Sequence, residues 1–201
     1  MSFDPETASP GDAQRFGAEL ESLRALIARV PKFATVKGMF IKGFLESLDR
    51  EGIARPTQDR FIAFRDYPLT LFMSLLLGKT QDLWPDRSPR ESLKAFGRFA
   101  FPTFAESMVG RVIFAVAGND WKHALTLTDK AYSHSLKPAT TKLVEVTEKS
   151  ATLEFRDVWN FCDCYQIGVF EGAMAHYKVN GSVTLRAYPR PCDVDLLLRW
   201  D

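Results

Sequence analysis

The sequence predicts an α+β domain in which a helical N-terminal part packs on a four-stranded antiparallel sheet with one inserted helix. Two observations lead to this fold class. Apolar residues recur with the period of a helix through the first two-thirds of the chain, and mostly with the two-residue period of a strand thereafter. The chain has 201 residues, 46% of them hydrophobic and 12% aromatic. That is enough for one domain with a large core.

Helical patterns cover residues 13–29, 37–50 and 67–84, and the last of these is apolar on nearly all sides. Two capping boxes, Ser88–Glu91 and Thr103–Glu106, predict two further helix starts, the second just after Pro102 breaks the preceding helix. Asp120 can cap a last helix that reaches toward His134. We therefore expect residues 1–11 to form a flexible arm and residues 12–135 an all-helical subdomain.

Residues 136–201 are expected to form a hairpin-helix-hairpin subdomain of the same domain. Apolar and polar residues alternate over 141–147, 151–156, 182–187 and 193–200, and turn-length breaks at 148–150 and 189–191 divide these strands into two hairpins. Between the hairpins, residues 161–176 carry one apolar helical stripe. Gly168 and Gly172 lie on this stripe, which predicts that the helix lies close to the sheet.

Composition excludes several classes of partner and location. The net charge is +1, which lacks the basic excess of a nucleic-acid-binding protein. The longest apolar runs are shorter than the roughly 20 residues of a membrane span, and no secretory signal is recognised at the N-terminus. Three cysteines do not make a disulfide framework. We expect a cytoplasmic protein.

The chemistry-bearing residues do not form a recognisable catalytic or metal motif. The three cysteines, Cys162, Cys164 and Cys192, offer fewer ligands than the four of a structural zinc site. The histidines, His123, His134 and His176, do not form an HExxH pair, and none lies beside a nucleophile motif. We therefore expect no enzyme, no catalytic residues and no metal ligands.

Blocks spread over nearly the whole chain resemble an uncharacterised protein family of about this chain's length, known mainly from myxobacteria. The blocks are Thr35–Phe40, Phe101–Ala105, Tyr165–Gly172 and the closing Asp195–Trp200. The family has no assigned function, so this resemblance implies membership and not a mechanism.

The order of helices and hairpins also resembles the haem–nitric oxide/oxygen-binding (H-NOX) domain. Those domains hold the haem propionates through a Tyr-x-Ser-x-Arg motif at the end of the second strand, and the matching positions here are Phe155, Asp157 and Trp159. The position of the proximal histidine falls near Thr126, with His123 three residues away. The resemblance therefore implies the fold, while these replacements predict that no haem is bound.

Cys164, Gly168, Gly172, Val183, Leu185 and Cys192 resemble the 4-vinyl-reductase-like domain, a small-molecule sensor module in which some members bind zinc. The second cysteine of the distal pair is missing here. Both resemblances imply a cavity between the sheet, its inserted helix and the helix before the first strand. On this chain that implies ligand-pocket residues Tyr132, His134, Phe155, Trp159, Tyr165 and Val169.

The sequence thus favours a non-enzymatic sensor or protein-interaction domain in signalling, without haem. One candidate partner is an apolar small molecule with one or two polar groups, because aromatic residues with a few polar groups are typical of small-molecule sites. The other is a signalling protein. Two alternatives remain open. One is a haem-based gas sensor with His123 or His134 as axial ligand, and the other is a docking module whose core is filled by side chains.

Overall fold

The computed structural model describes residues 10–57 and 60–201, and only the backbone of residues 10–14. Its helices are α1 Pro10–Arg29, α2 Gly38–Arg50, α3 Leu69–Leu83, α4 Pro89–Ala105, α5 Met108–Phe114, α6 Trp121–Thr126, α7 Thr128–Ser135 and α8 Tyr165–His176. Its strands are β1 Thr35–Lys37, β2 Asp66–Pro68, β3 Leu136–Lys137, β4 Thr140–Val146, β5 Ser150–Arg156, β6 Gly181–Ala187 and β7 Val194–Trp200. The expected arm lies outside the described residues, except that α1 already begins at Pro10. Among the helices described, none has the length and apolarity to cross a membrane.

The four-stranded antiparallel sheet with one inserted helix is confirmed. Its strand order is β4-β5-β7-β6, so each hairpin contributes an edge strand and the two inner strands pair with each other. A row of leucines crosses all four strands in register: Leu143 pairs with Leu153, Leu153 with Leu196, and Leu196 with Leu185. This cross-strand alignment fixes the register of the sheet through its apolar face.

Helices α7 and α8 cover the inner face of the sheet. Phe155 of β5 is fully buried, and its ring centroid lies 4.9 Å from Tyr132 of α7 and 5.7 Å from Phe170 of α8. These edge-to-face ring contacts join the helical part to the sheet, so the two parts share one core.

The glycines of α8 pack against α4, and not against the sheet as the sequence predicted. A Cβ added at Gly168 would overlap the carbonyl oxygen of Lys94, and one added at Gly172 would overlap that of Arg98. Gly97 of α4 faces Gly168 in return, so neither helix has a side chain at the crossing. The prediction of close packing is correct in kind, but the partner is a helix, because small residues let two helix backbones approach each other closely.

A second, three-stranded sheet takes two of its strands, β1 and β2, from the part of the chain predicted to be all helix. Its order is β2-β1-β3, with Val36 paired to Tyr67 on one side and to Leu136 on the other. Lys37 Nζ lies 2.6 Å from Asp66 Oδ1 across the first pair. Strands of two or three residues are too short to show an alternating pattern, which is why the sequence did not reveal them.

Pro102 does not end a helix, and the second predicted capping box is wrong. Helix α4 continues through Pro102 to Ala105, and the Thr103 hydroxyl donates to the Phe99 carbonyl at 2.7 Å. Ser107 is the residue that caps α5, by accepting from the Gly110 amide at 3.0 Å.

The other two predicted caps are confirmed. Ser88 and Glu91 form the reciprocal capping box of α4. Asp120 accepts from the His123 amide at 3.1 Å at the start of α6. The helix after Asp120 is divided at Leu127 into α6 and α7.

Candidate functional site

A partly open cavity of about 80 Å³ lies where α4, α6, α7 and α8 meet above β1. Its wall is mainly aromatic and aliphatic, and includes Phe72, Phe101, Leu125, Phe170 and Ala173. The close approach of α4 to α8 and the break between α6 and α7 bring small residues to the wall, namely Ala100, Ala124, Ala131 and Ala173. The space arises because these alanines meet where longer side chains would fill the core.

Three of the six residues expected to line a pocket lie on the wall of this cavity, namely Tyr132, Tyr165 and Val169. Phe155 lies behind the wall, since its ring packs against that of Tyr132. Trp159 is buried in the core away from the wall, and His134 is exposed at the surface of α7. His134 follows the wall residue Ala131 by three positions, but α7 ends at Ser135 and its imidazole faces solvent.

A chain of polar side chains joins α7 to α8 at the wall. The Tyr132 hydroxyl donates to Gln166 Oε1, and Gln166 Nε2 donates to Asn160 Oδ1 at 2.7 Å. Gln166 and Asn160 are both buried. Buried amides need such partners, because an unpaired one costs about 1–3 kcal/mol. These hydrogen bonds therefore hold the wall in place, and the Tyr132 hydroxyl proton is already donated.

Other polar groups of the wall, including the Thr128 hydroxyl, make no hydrogen bond within the described residues. The Tyr165 side chain is 2% exposed, and its phenol makes no hydrogen bond within the described part of the chain. The Trp121 side chain is 7% exposed, and its indole Nε1 also lacks a partner there. Burial raises the pKa of the Tyr165 phenol, so it is a neutral hydroxyl that can donate.

Sequence reasoning missed Trp121, Asn160 and Gln166. The signal for Gln166 was a single amide in the otherwise apolar run from Tyr165 to Phe170. A buried amide implies buried partners, but the sequence does not say which. Trp121 directly follows the predicted cap Asp120, and its place at the wall depends on how α6 packs.

The wall carries no charged side chain among the residues that the structure describes there. The titratable groups on it are the two phenols, and burial raises the pKa of each above its ordinary value. They do not form an acid–base pair, because the Tyr132 proton goes to an amide oxygen and Tyr165 makes no hydrogen bond within the described residues.

The residues present at this cavity do not fit a haem. Haem iron in proteins is held by His, Cys, Met or Tyr, and the wall, as far as the structure describes it, includes none of the first three. All three histidines of the chain are exposed. The two wall tyrosines have raised pKa values, which oppose the tyrosinate form that binds iron.

The positions matched to the propionate-binding motif also differ from a haem site. Phe155 faces the core, Asp157 pairs with Arg190, and Trp159 is buried. Asp157 would repel a propionate, and the one basic side chain beside it is already paired with that carboxylate. Thr126 and His123, near the matched proximal position, are exposed on α6.

A separate cluster of potential metal ligands lies beside the sheet. Asp157, Cys192 and Asp193 have ligand atoms within 4.8 Å of one another. The Arg190 guanidinium pairs with both carboxylates, and burial raises the pKa of Cys192 to about 11. A metal would need the thiolate and would have to displace the arginine, so this cluster is an ion-pair network around a buried thiol.

Comparison with solved structures finds the H-NOX fold. An H-NOX protein from K. algicida in the Fe(II) unliganded state superposes with a TM-score of 0.58 at 14% identity, over 82% of this chain and 96% of that one. An H-NOX protein from S. oneidensis in the Fe(II)NO state gives 0.54 at 16% identity, over 82% and 99%. At these identities the likeness establishes the fold alone.

The sequence itself matches no curated protein significantly. It does match the sequence model of one protein family over residues 30–201, which is most of the chain. The recognition of an uncharacterised family and of an H-NOX-like fold is therefore confirmed. The chain belongs to the DUF2378 family of proteins of unknown function.

Proposed function

We propose that this domain is a non-enzymatic, haem-free sensor that binds a small apolar molecule in this cavity. The observation that carries the proposal is the cavity of about 80 Å³ with an uncharged, mainly apolar wall. Small-molecule sites are concave, mainly apolar and largely preformed, with a few placed polar groups. The cavity at the junction of these four helices has that form.

The fold gives independent support. The H-NOX protein from S. oneidensis that shares it is described in an Fe(II)NO ligation state, so that protein binds a small ligand at an iron centre. In our proposal this chain keeps a cavity in the helical and sheet framework of such proteins and binds its ligand directly to side chains. The cavity of about 80 Å³ is much smaller than the pockets of roughly 300–1,000 Å³ that hold drug-sized ligands and cofactors, so it fits a molecule of only a few non-hydrogen atoms.

Ligand binding and its location can be tested with one pair of variants on α8. Ala173→Leu extends a side chain from the wall, whereas Ala175→Leu makes the same change at an exposed position two residues away. We expect small apolar molecules to raise the melting temperature of the wild type and of Ala175→Leu, and not of Ala173→Leu. At a ligand concentration of about 10 Kd the stabilisation is roughly 1.4 kcal/mol. For a chain of this length that is a rise of about 3–6 °C.

The haem-based alternative is tested by expression with added haem. We expect no stoichiometric Soret absorption from the purified protein. A stoichiometric Soret band that is lost on His123→Ala or His134→Ala would replace our proposal with a gas sensor. The docking alternative predicts that no small molecule shifts the melting temperature of the wild type, because side chains would fill the cavity in solution.

A further inference from the structure

The cavity wall holds information about the chemical class of the ligand. Given the proposed function, the wall also determines the polarity of the ligand. A charged ligand is excluded on physical grounds, because no charged side chain of the described residues lines the cavity, and burying an unpaired charge costs several kcal/mol. The remaining question is whether the ligand is a plain hydrocarbon or carries a polar group.

The hydrogen-bonding groups of the wall answer this question. Tyr132, Gln166 and Asn160 bond to one another, and this uses the amide oxygen of Asn160. The wall groups that make no hydrogen bond within the described residues are the Tyr165 and Thr128 hydroxyls, the Asn160 Nδ2 amide and the Trp121 indole N–H, and the last of these is enclosed by its neighbours. Each of these groups donates, and a neutral phenol donates readily. They therefore favour an acceptor on the ligand.

We infer that the ligand is a compact uncharged molecule with one hydrogen-bond acceptor, such as a carbonyl oxygen, held by the Tyr165 hydroxyl. A hydrocarbon would remove this donor from water and give nothing in return. A cavity of about 150 Å³ in another protein holds benzene, so the cavity of about 80 Å³ limits the ligand to a few non-hydrogen atoms. Small ketones and aldehydes have the required size and chemistry.

The test compares two probes of the same shape, 2-butanone and 2-methyl-1-butene. The ketone has a carbonyl oxygen where the alkene has a methylene group. Binding to the full chain is measured by NMR titration of the tryptophan indole N–H signals. We expect 2-butanone to bind roughly three- to tenfold more tightly than the alkene. We also expect it to move the Trp121 indole signal. Trp159 is an internal control, because its Nε1 is equally buried and unpaired but it does not line the cavity.

Single substitutions assign the acceptor site. Tyr165→Phe removes only the hydroxyl, and we expect it to abolish most of the preference for the ketone while alkene binding stays unchanged. Tyr132→Phe is the matched comparison on the same wall. Its hydroxyl donates to Gln166, so removing it frees an acceptor and leaves the preference in place. Trp159→Phe should change neither affinity.

The outcomes separate this inference from the proposed function. Equal binding of both probes by the wild type would overturn the acceptor and leave the cavity as a hydrocarbon site. A preference that survives Tyr165→Phe would overturn the assignment of the donor. Failure of both probes to bind would overturn the inference together with the proposed function.

Discussion

The contact between α4 and α8 is the most sharply defined packing feature of the fold, and Gly168→Ala tests it. In a helix interior the change from Gly to Ala is favourable by about 1 kcal/mol when nothing opposes it. At Gly168 the new methyl group would meet the Lys94 carbonyl and the Cα of Gly97. These are backbone atoms, which cannot rotate away, and overpacking of this kind costs about 1–3 kcal/mol or more.

The matched control is Gly78→Ala in α3, where an added Cβ meets nothing within 4 Å. We expect Gly78→Ala to stabilise the protein and Gly168→Ala to have no net benefit or to destabilise it. The difference between the two variants should be about 1–3 kcal/mol, or a separation of about 2–12 °C in melting temperature. Urea unfolding of both variants measures this directly. If Gly168→Ala stabilises as much as Gly78→Ala, the two helix backbones are not in contact and the position of the cavity between them is wrong.

Three further expectations follow from single contacts. Ser107→Ala should lower the free energy of unfolding by about 0.5–2 kcal/mol because it removes the cap of α5, and Thr103→Ala should lower it less. Equal losses of the two variants in urea unfolding would contradict the corrected helix boundary. Lys37 holds the pKa of Asp66 below its ordinary value of 3.8. The stability from this pair is therefore present above that value and is lost as the pH falls through the lower, folded-state pKa. Lys37→Met should raise the pKa of Asp66 in an NMR titration, and an unchanged value would refute the pairing. The three cysteines, including Cys192, are buried and have raised thiol pKa values. Iodoacetamide at pH 8 should therefore label them in urea and not in the folded protein. Rapid labelling of the native protein would show that they are accessible.

The sheet could be predicted from the sequence because its pattern is local and strong. Alternation over about six residues, as in 151–156, determines both the strand and the face that is buried. The two hairpins then give the strand order with one further assumption, that the inner strands pair. The structure has that order, with Leu153 beside Leu196.

The features that the sequence did not reveal depend on contacts between distant segments. Gly168 shows that a close approach exists, but not whether the approaching partner is a strand or a helix. The pairing of Val36 with Leu136 joins segments that are far apart in the chain, and neither segment is long enough to show a strand period.

The cavity is the least predictable feature for the same reason. Tyr132, Tyr165 and Val169 were placed at a pocket through a resemblance in fold, and they do lie on one wall. Trp121 and Ala124 complete that wall because α6 ends at Thr126 and turns into α7. The pattern of apolar residues continues across this turn, so it gave no sign of the break.

The most direct test of the central claim is a crystal structure of the protein under xenon pressure. Xenon enters apolar cavities of suitable size, and its anomalous scattering locates it without reference to any ligand. We expect a xenon peak bounded by Leu125, Tyr165, Phe170 and Ala173, and its loss in Ala173→Leu. The absence of a peak at this position in the wild type, with side chains occupying the space instead, would contradict the proposal that the domain binds a ligand in this cavity.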